Sequence, residues 1–108
     1  MKVVYCVKAG THLDLVYQDI APPLSPGPGE IQVSIDARGI QFSDLVRFAG
    51  DYQDDAGYPF VVGGEGGGTV VAAGSGVTQV DPGDKVLVPA GCVEIVNVSE
   101  KAATHVPD

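Results

Sequence analysis

Four histidine and cysteine side chains stand in this chain: His12, His105, Cys6 and Cys92. A zinc site needs about three or four such ligands at short, recurrent spacings. These four are scattered, and no pair shows ligand spacing, so no metal is expected. Two cysteines do not make a disulfide framework. They read as small buried thiols, with a mutual disulfide left open. A Ser/His/Asp arrangement is conceivable from composition, but no nucleophile motif supports it.

The stretch GYPFVVGGEGGGTVVAAGSG, residues 57–76, raises phosphate binding instead. A dinucleotide loop needs G-x-G-x-x-G between a strand and a helix, so that the helix N-terminus meets the pyrophosphate. Started at Gly64, the pattern fails at Thr69; started at Gly66, it fails at Val71; started at Gly63, it meets Glu65 at once. The residues that follow, TVVAAG, are β-prone. No Gly-Lys-Ser/Thr is present, and Glu65 would set a negative charge beside the phosphate. The glycines are therefore assigned to bulges, sharp bends and close backbone approach.

The elements that would position any site are mostly strands. Lys2 to Lys8 and Leu15 to Ile20 read as the first two. Residues 21–29, APPLSPGPG, hold four prolines and two glycines and make a rigid loop. EIQVSIDAR, residues 30–38, alternates strictly. Ile31, Val33, Ile35 and Ala37 face one way; Gln32, Ser34, Asp36 and Arg38 face the other. A short helix is predicted over Ser43 to Ala49, capped by Ser43 or Asp44 and ended by Gly50. Asp51 to Tyr58 is polar and turn-like. Then come a strand at TVVAA, a GSG turn, a short strand at VTQV, a type II turn at DPGD, a strand at KVLV and a last strand from Val93 to Val98. Short strands with turn signals between them predict a mainly all-β fold, a small barrel or sandwich. Neither repeats nor linkers appear, so residues 1–108 are read as one domain.

The totals agree with a single globular unit. The chain has 108 residues, 44% hydrophobic and 19% charged, with 6 basic and 14 acidic residues for a net charge of −8. Such a balance repels phosphate backbones and anionic membranes, so neither nucleic acid nor membrane is an expected partner. MKVVYCVKAG is not a signal peptide, and no window approaches the roughly 20 apolar residues of a membrane span. A cytoplasmic location is expected.

Several motifs together resemble the medium-chain dehydrogenase/reductase superfamily. Pro59, Phe60, Gly63, Glu65, Gly68 and Val70 fill P-F-x-x-G-x-E-x-x-G-x-V. Gly74, Gly76, Val77, Gly83, Asp84 and Val86 fill the next block. AxGIQFSDLVRFAGDY and PGPGEIQVSIDA look like the zinc-free quinone oxidoreductase branch, and the likeness runs over nearly all 108 residues. It implies an N-terminal GroES-like domain: a partly open β-barrel with one short helix, carrying the substrate side of an active site. In that family a hydride passes from NADPH to a quinone, enone or enoyl thioester. The cofactor sits on a separate Rossmann domain, expected beyond residue 108. No cofactor is expected on this chain, which reads as truncated and inactive alone.

The resemblance also assigns residues. Zinc-bearing relatives place cysteine where Gln41 stands and histidine where Gly64 stands. Tyr52 matches the tyrosine lining the substrate pocket, where a phenol can hydrogen-bond a carbonyl and donate a proton. Gln41 matches an asparagine near nicotinamide and substrate. Phe42 joins them in the substrate-binding set, though with Asp44 it also suits closing and capping the helix. The expected partner is a second copy or a separate nucleotide-binding chain, with an apolar face around Phe60, Val61 and Val62 left for it. The rival reading is a free-standing small-ligand-binding or protein-interaction module on the same barrel. A co-chaperonin shares part of the glycine pattern, but its long mobile loop has no counterpart here.

Overall fold

The computed structural model describes residues 1–8, 15–39 and 60–107, with Phe60 described by its backbone alone. Its strands are β1 (Lys2–Cys6), β2 (Leu15–Asp19), β3 (Glu30–Gly39), β4 (Phe60–Val61), β5 (Glu65–Ala73), β6 (Lys85–Val88), β7 (Ile95–Ser99) and β8 (Thr104–His105). They form a three-stranded sheet in the order β2-β1-β4 and a five-stranded sheet in the order β7-β3-β5-β6-β8. Every described pairing between strands is antiparallel. The sheets meet at a seam, where Val3 bridges Val93 and the Val4 N–H donates to the Cys92 carbonyl at 2.9 Å. Among the described residues the sheets do not close into a barrel, and the mainly all-β class holds.

The core is a set of branched aliphatic side chains facing inward from both sheets. Val3, Ile31, Val33, Ile35, Val70, Val80, Val86, Val88 and Val93 form one buried cluster. Period-two patterning explains it, since alternate residues of β3, β5 and β6 are buried. Alternation on β3 breaks where its register with β5 shifts between Ile35 and Ala37. The bulge turns the strand, and Ala37 is exposed rather than inward as its spacing predicts.

Three other expectations are corrected. VTQV is not a strand. Its Thr78 and Gln79 N–H groups donate to Glu100 Oε2 at 3.1 and 3.2 Å, which satisfies them without a ladder. The strand predicted from Val93 starts at Ile95 and is not the last. After it come a 3₁₀ turn, Glu100–Ala102, and β8 on the edge of β6. Nor is Val62 part of an open apolar face. It is buried with Cys6, because β4 lies against β1 and Val62 links Val4 to Cys92 through backbone bonds. The helix predicted over residues 43–49 lies outside the described residues.

Two glycines show what the glycine-rich run does. A Cβ on Gly68 would fall on the Ser34 carbonyl, 2.9 Å from its carbon, and one on Gly74 would fall on the Gly27 carbonyl, 2.8 Å from its carbon. The first keeps β3 and β5 in contact. The second holds the proline loop against the sheet, where Gly29 N–H also donates to the Ser75 carbonyl at 2.8 Å. At DPGD, Gly83 has φ 98° and Asp84 N–H donates to the Asp81 carbonyl at 3.0 Å, as a type II turn requires.

One charge cluster makes stability depend on pH. Asp19 takes the Lys2 ammonium at 2.9 Å and the Met1 ammonium at 3.0 Å. The Lys2 hydrogen bond, with help from Met1, holds the Asp19 carboxyl below its ordinary range, and Asp19 in turn raises Lys2 above 10.5. A lowered carboxyl stabilises the fold above its unfolded value, and that contribution is lost as pH falls through its folded value. The raised Lys2 acts oppositely, stabilising below 10.5 and losing its effect as pH rises through its folded value. Asp19→Asn is therefore expected to flatten the acid side of a urea-midpoint-versus-pH curve. The difference should shrink in about 1 M salt, since the pair is exposed. Parallel curves for the two proteins would contradict this.

Candidate functional site

β3 and β5 pair in the register Ala37↔Gly67, Arg38↔Gly66 and Gly39↔Glu65. The chain therefore leaves β3 where it enters β5. At this sheet end lies an open cavity of about 270 Å³, lined among others by Arg38, Gly39, Glu65 and Leu87. The Glu65 carboxylate occupies the space above Gly39, 3.3 Å from where a Cβ would stand. Gln41 and Phe42 follow Gly39 by two and three residues, and Gly64 precedes Glu65. Gln41, Phe42 and Tyr52 lie outside the described residues, as do Asp44 and His12. The β3–β5 register brings Gly39, the last described residue before Gln41 in the chain, beside Glu65, which follows Gly64.

Arg38 links this end to the seam. Its Nε donates to the Gly91 carbonyl at 2.8 Å, and its Nη2 donates to the carbonyls of Ile35 at 3.2 Å and Val93 at 3.3 Å. It also lines a second cavity, of about 310 Å³, at the seam. Strict alternation makes Arg38 an outward polar residue of β3 and nothing more. The bulge at 35–37, which re-aims it, leaves no mark in the hydrophobic pattern.

The remaining candidate ligands do not converge. His105 Nε2 lies 3.8 Å from Asp84 Oδ2 on the β6–β8 side. Cys6 is buried, Cys92 is half-buried, and no disulfide joins them. Among the described residues, no three His, Cys, Asp or Glu side chains are grouped to hold a metal ion. The glycine-rich run does not fit a dinucleotide pyrophosphate. Past Glu65 it is a strand, not a helix start, and the approaches to Gly66 and Gly68 are taken by the Ala90 and Ser34 carbonyls. Carbonyl oxygens repel a phosphate where a cradle would offer N–H groups.

Comparison with known proteins matches residues 27–106 to the alcohol dehydrogenase GroES-like domain. The chain belongs to that family. The GroES-like domain superposes on Escherichia coli quinone oxidoreductase, solved with NADPH, with a TM-score of 0.88 at 28% identity, covering 99% of this chain and 33% of that one. A probable oxidoreductase from Mycobacterium abscessus gives a TM-score of 0.86 at 31% identity, covering 99% and 35%. Among curated relatives, the S-(hydroxymethyl)glutathione dehydrogenase of Photobacterium damsela subsp. piscicida is 43% identical over 78 residues, which is 72% of this chain and 20% of that protein. The chain thus spans about a third of these solved relatives and a fifth of this curated one. Among the described residues of the domain, no helix is long and apolar enough to cross a membrane.

Proposed function

We propose that this GroES-like domain is the substrate side of a zinc-independent, NADPH-dependent quinone-oxidoreductase-like protein, inactive without a nucleotide-binding unit. The observation that carries this is a pair of positions in the sequence. The family resemblance matches Gln41 and Gly64 to the positions where zinc-bearing relatives have cysteine and histidine, and neither glutamine nor glycine supplies a zinc ligand of that type. The likeness to the NADPH-bound E. coli quinone oxidoreductase across 99% of the chain supports it.

NADPH held by the nucleotide unit would supply a hydride to the quinone ring. On this chain the Tyr52 phenol would hydrogen-bond the quinone oxygen and deliver the proton that completes the hydroquinone. The Gln41 amide would orient the same substrate, and Phe42 would exclude water from it. The nucleotide unit is either the partner chain or a further part of the same protein; self-association into a dimer is the other arrangement. The compartment proposed is the cytoplasm.

A second reading comes from the 43% identity to a dehydrogenase, which exceeds the identities to the reductases named above. It makes the domain part of a dehydrogenase acting on a hydroxymethyl thiol adduct. Two-dimensional amide spectra of the ¹⁵N-labelled chain separate the readings. Duroquinone, whose ring carbons are all substituted and spare the cysteines, should shift the Gln41 and Tyr52 amides, and NADPH should not. Stoichiometric zinc by elemental analysis of protein grown with zinc would favour the dehydrogenase reading. Saturable NADPH shifts would overturn both the reading of the glycines and the need for a second unit. Indifference to both ligands would favour a free-standing interaction module.

A further inference from the structure

The seam between the two sheets carries a second open cavity, about 310 Å³, which shares Arg38 with the one at the β3–β5 sheet end. Its volume is at the lower limit of small-molecule pockets. Val3, Val4 and Val93 supply apolar wall, Tyr17 an aromatic one, and Arg38 a cation. Tyr17 is 68% exposed, unusually open for an aromatic side chain on a strand.

The donor count at Arg38 decides what fits. A guanidinium has five N–H donors and no acceptor. Nε and both hydrogens of Nη2 are committed to the carbonyls of Gly91, Ile35 and Val93. Those bonds hold the group in one orientation, while the two donors of Nη1 have no acceptor among the described residues. No carboxylate lies within 4.0 Å of Arg38 among those residues either, in a chain of net charge −8. Lys2, the other cation lining the cavity, is already matched by Asp19 and sits 5.6 Å above the Tyr17 ring.

The geometry points to this cavity as a binding site for a small, flat monocarboxylate, received end-on by Arg38 Nη1 with its apolar body between Tyr17 and the seam valines. A bidentate grip is excluded because Nε and Nη2 are spent on carbonyls. Glu94 also lines the cavity, its carboxylate taking the Lys2 N–H. That negative wall opposes any anion, and it penalises phosphates and dicarboxylates more than a single charge. The site is separate from the reductase reading and does not depend on it.

Benzoate and its neutral analogue benzyl alcohol test this on the ¹⁵N-labelled chain. Benzoate should shift the Val3, Val4, Val93 and Glu94 amides saturably, with Kd on the order of 1 mM for so small a ligand. Benzyl alcohol should bind at least about tenfold more weakly, since it forms no charge-assisted bond. Tyr17→Ala, at an exposed position that leaves the fold intact, should weaken benzoate about threefold or more. Arg38→Lys, which keeps the charge but not the fixed donors, should weaken it about tenfold. If Arg38→Lys does not fold, Tyr17→Ala and the alcohol decide. The inference is overturned by any of three results: no saturation by about 50 mM, equal response to the alcohol, or shifts centred on Gly39 and Glu65. Benzoate binding unchanged in Tyr17→Ala would also overturn it.

Discussion

Gly68→Ala is expected to leave little folded protein, whereas Gly64→Ala, four residues earlier in the same glycine-rich run, is expected to be nearly silent. At Gly68 the added methyl would fall on the Ser34 carbonyl, 2.9 Å from its carbon and 3.0 Å from the Ile35 Cα. All the obstructing atoms are backbone of β3, the strand between β5 and β7. A flexible side chain could swing away, but a central strand can yield only by parting from its neighbours. Overpacking usually costs about 1–3 kcal/mol, and this case should reach or exceed about 3 kcal/mol. At Gly64 nothing among the described residues lies within 4 Å of the added methyl, and φ is not positive. Its effect should stay within about 0.5 kcal/mol. Urea unfolding of the two variants measures this. Equal stability would mean that the glycines answer to a ligand rather than to β3.

Arg38→Ala should cost about 3 kcal/mol, or roughly 15 °C in Tm for a domain of this size. Three carbonyls lose their donor at once, those of Gly91, Ile35 and Val93. They belong to the β3 bulge and to the segment that joins the two sheets. The residue's exposure lets water replace part of each bond, which keeps the figure well below the sum of three buried charged bonds. Arg38→Lys should recover about a third, since one ammonium cannot span the three acceptors in the guanidinium's plane. Calorimetry of the three proteins reads both effects. Were Arg38→Ala as stable as the parent, the seam would be held by the Val3–Val93 bridge and apolar packing alone.

Much of this protein was determined locally and is legible residue by residue. The alternation of Ile31, Val33 and Ile35 puts β3 against the core because side chains on a strand repeat every two residues. Four prolines fix residues 21–29 as a loop, and Pro82-Gly83 sets a type II turn, because both follow from allowed backbone angles. The failure of every G-x-G-x-x-G register argues against a phosphate cradle from the sequence alone, and the motif set points to the family that the chain belongs to. The tertiary structure decided what depends on residues far apart in the chain. The 35–37 bulge is a mismatch between β3 and β5, so neither strand alone announces it, and it is what exposes Ala37 and re-aims Arg38 toward carbonyls more than 50 residues away. Val77 to Val80 is β-prone, yet Glu100 takes the Thr78 and Gln79 N–H groups from 22 and 21 residues on, so no ladder forms. Two residues at Thr104–His105 are too few to carry a period, and only the open edge of β6 makes them a strand.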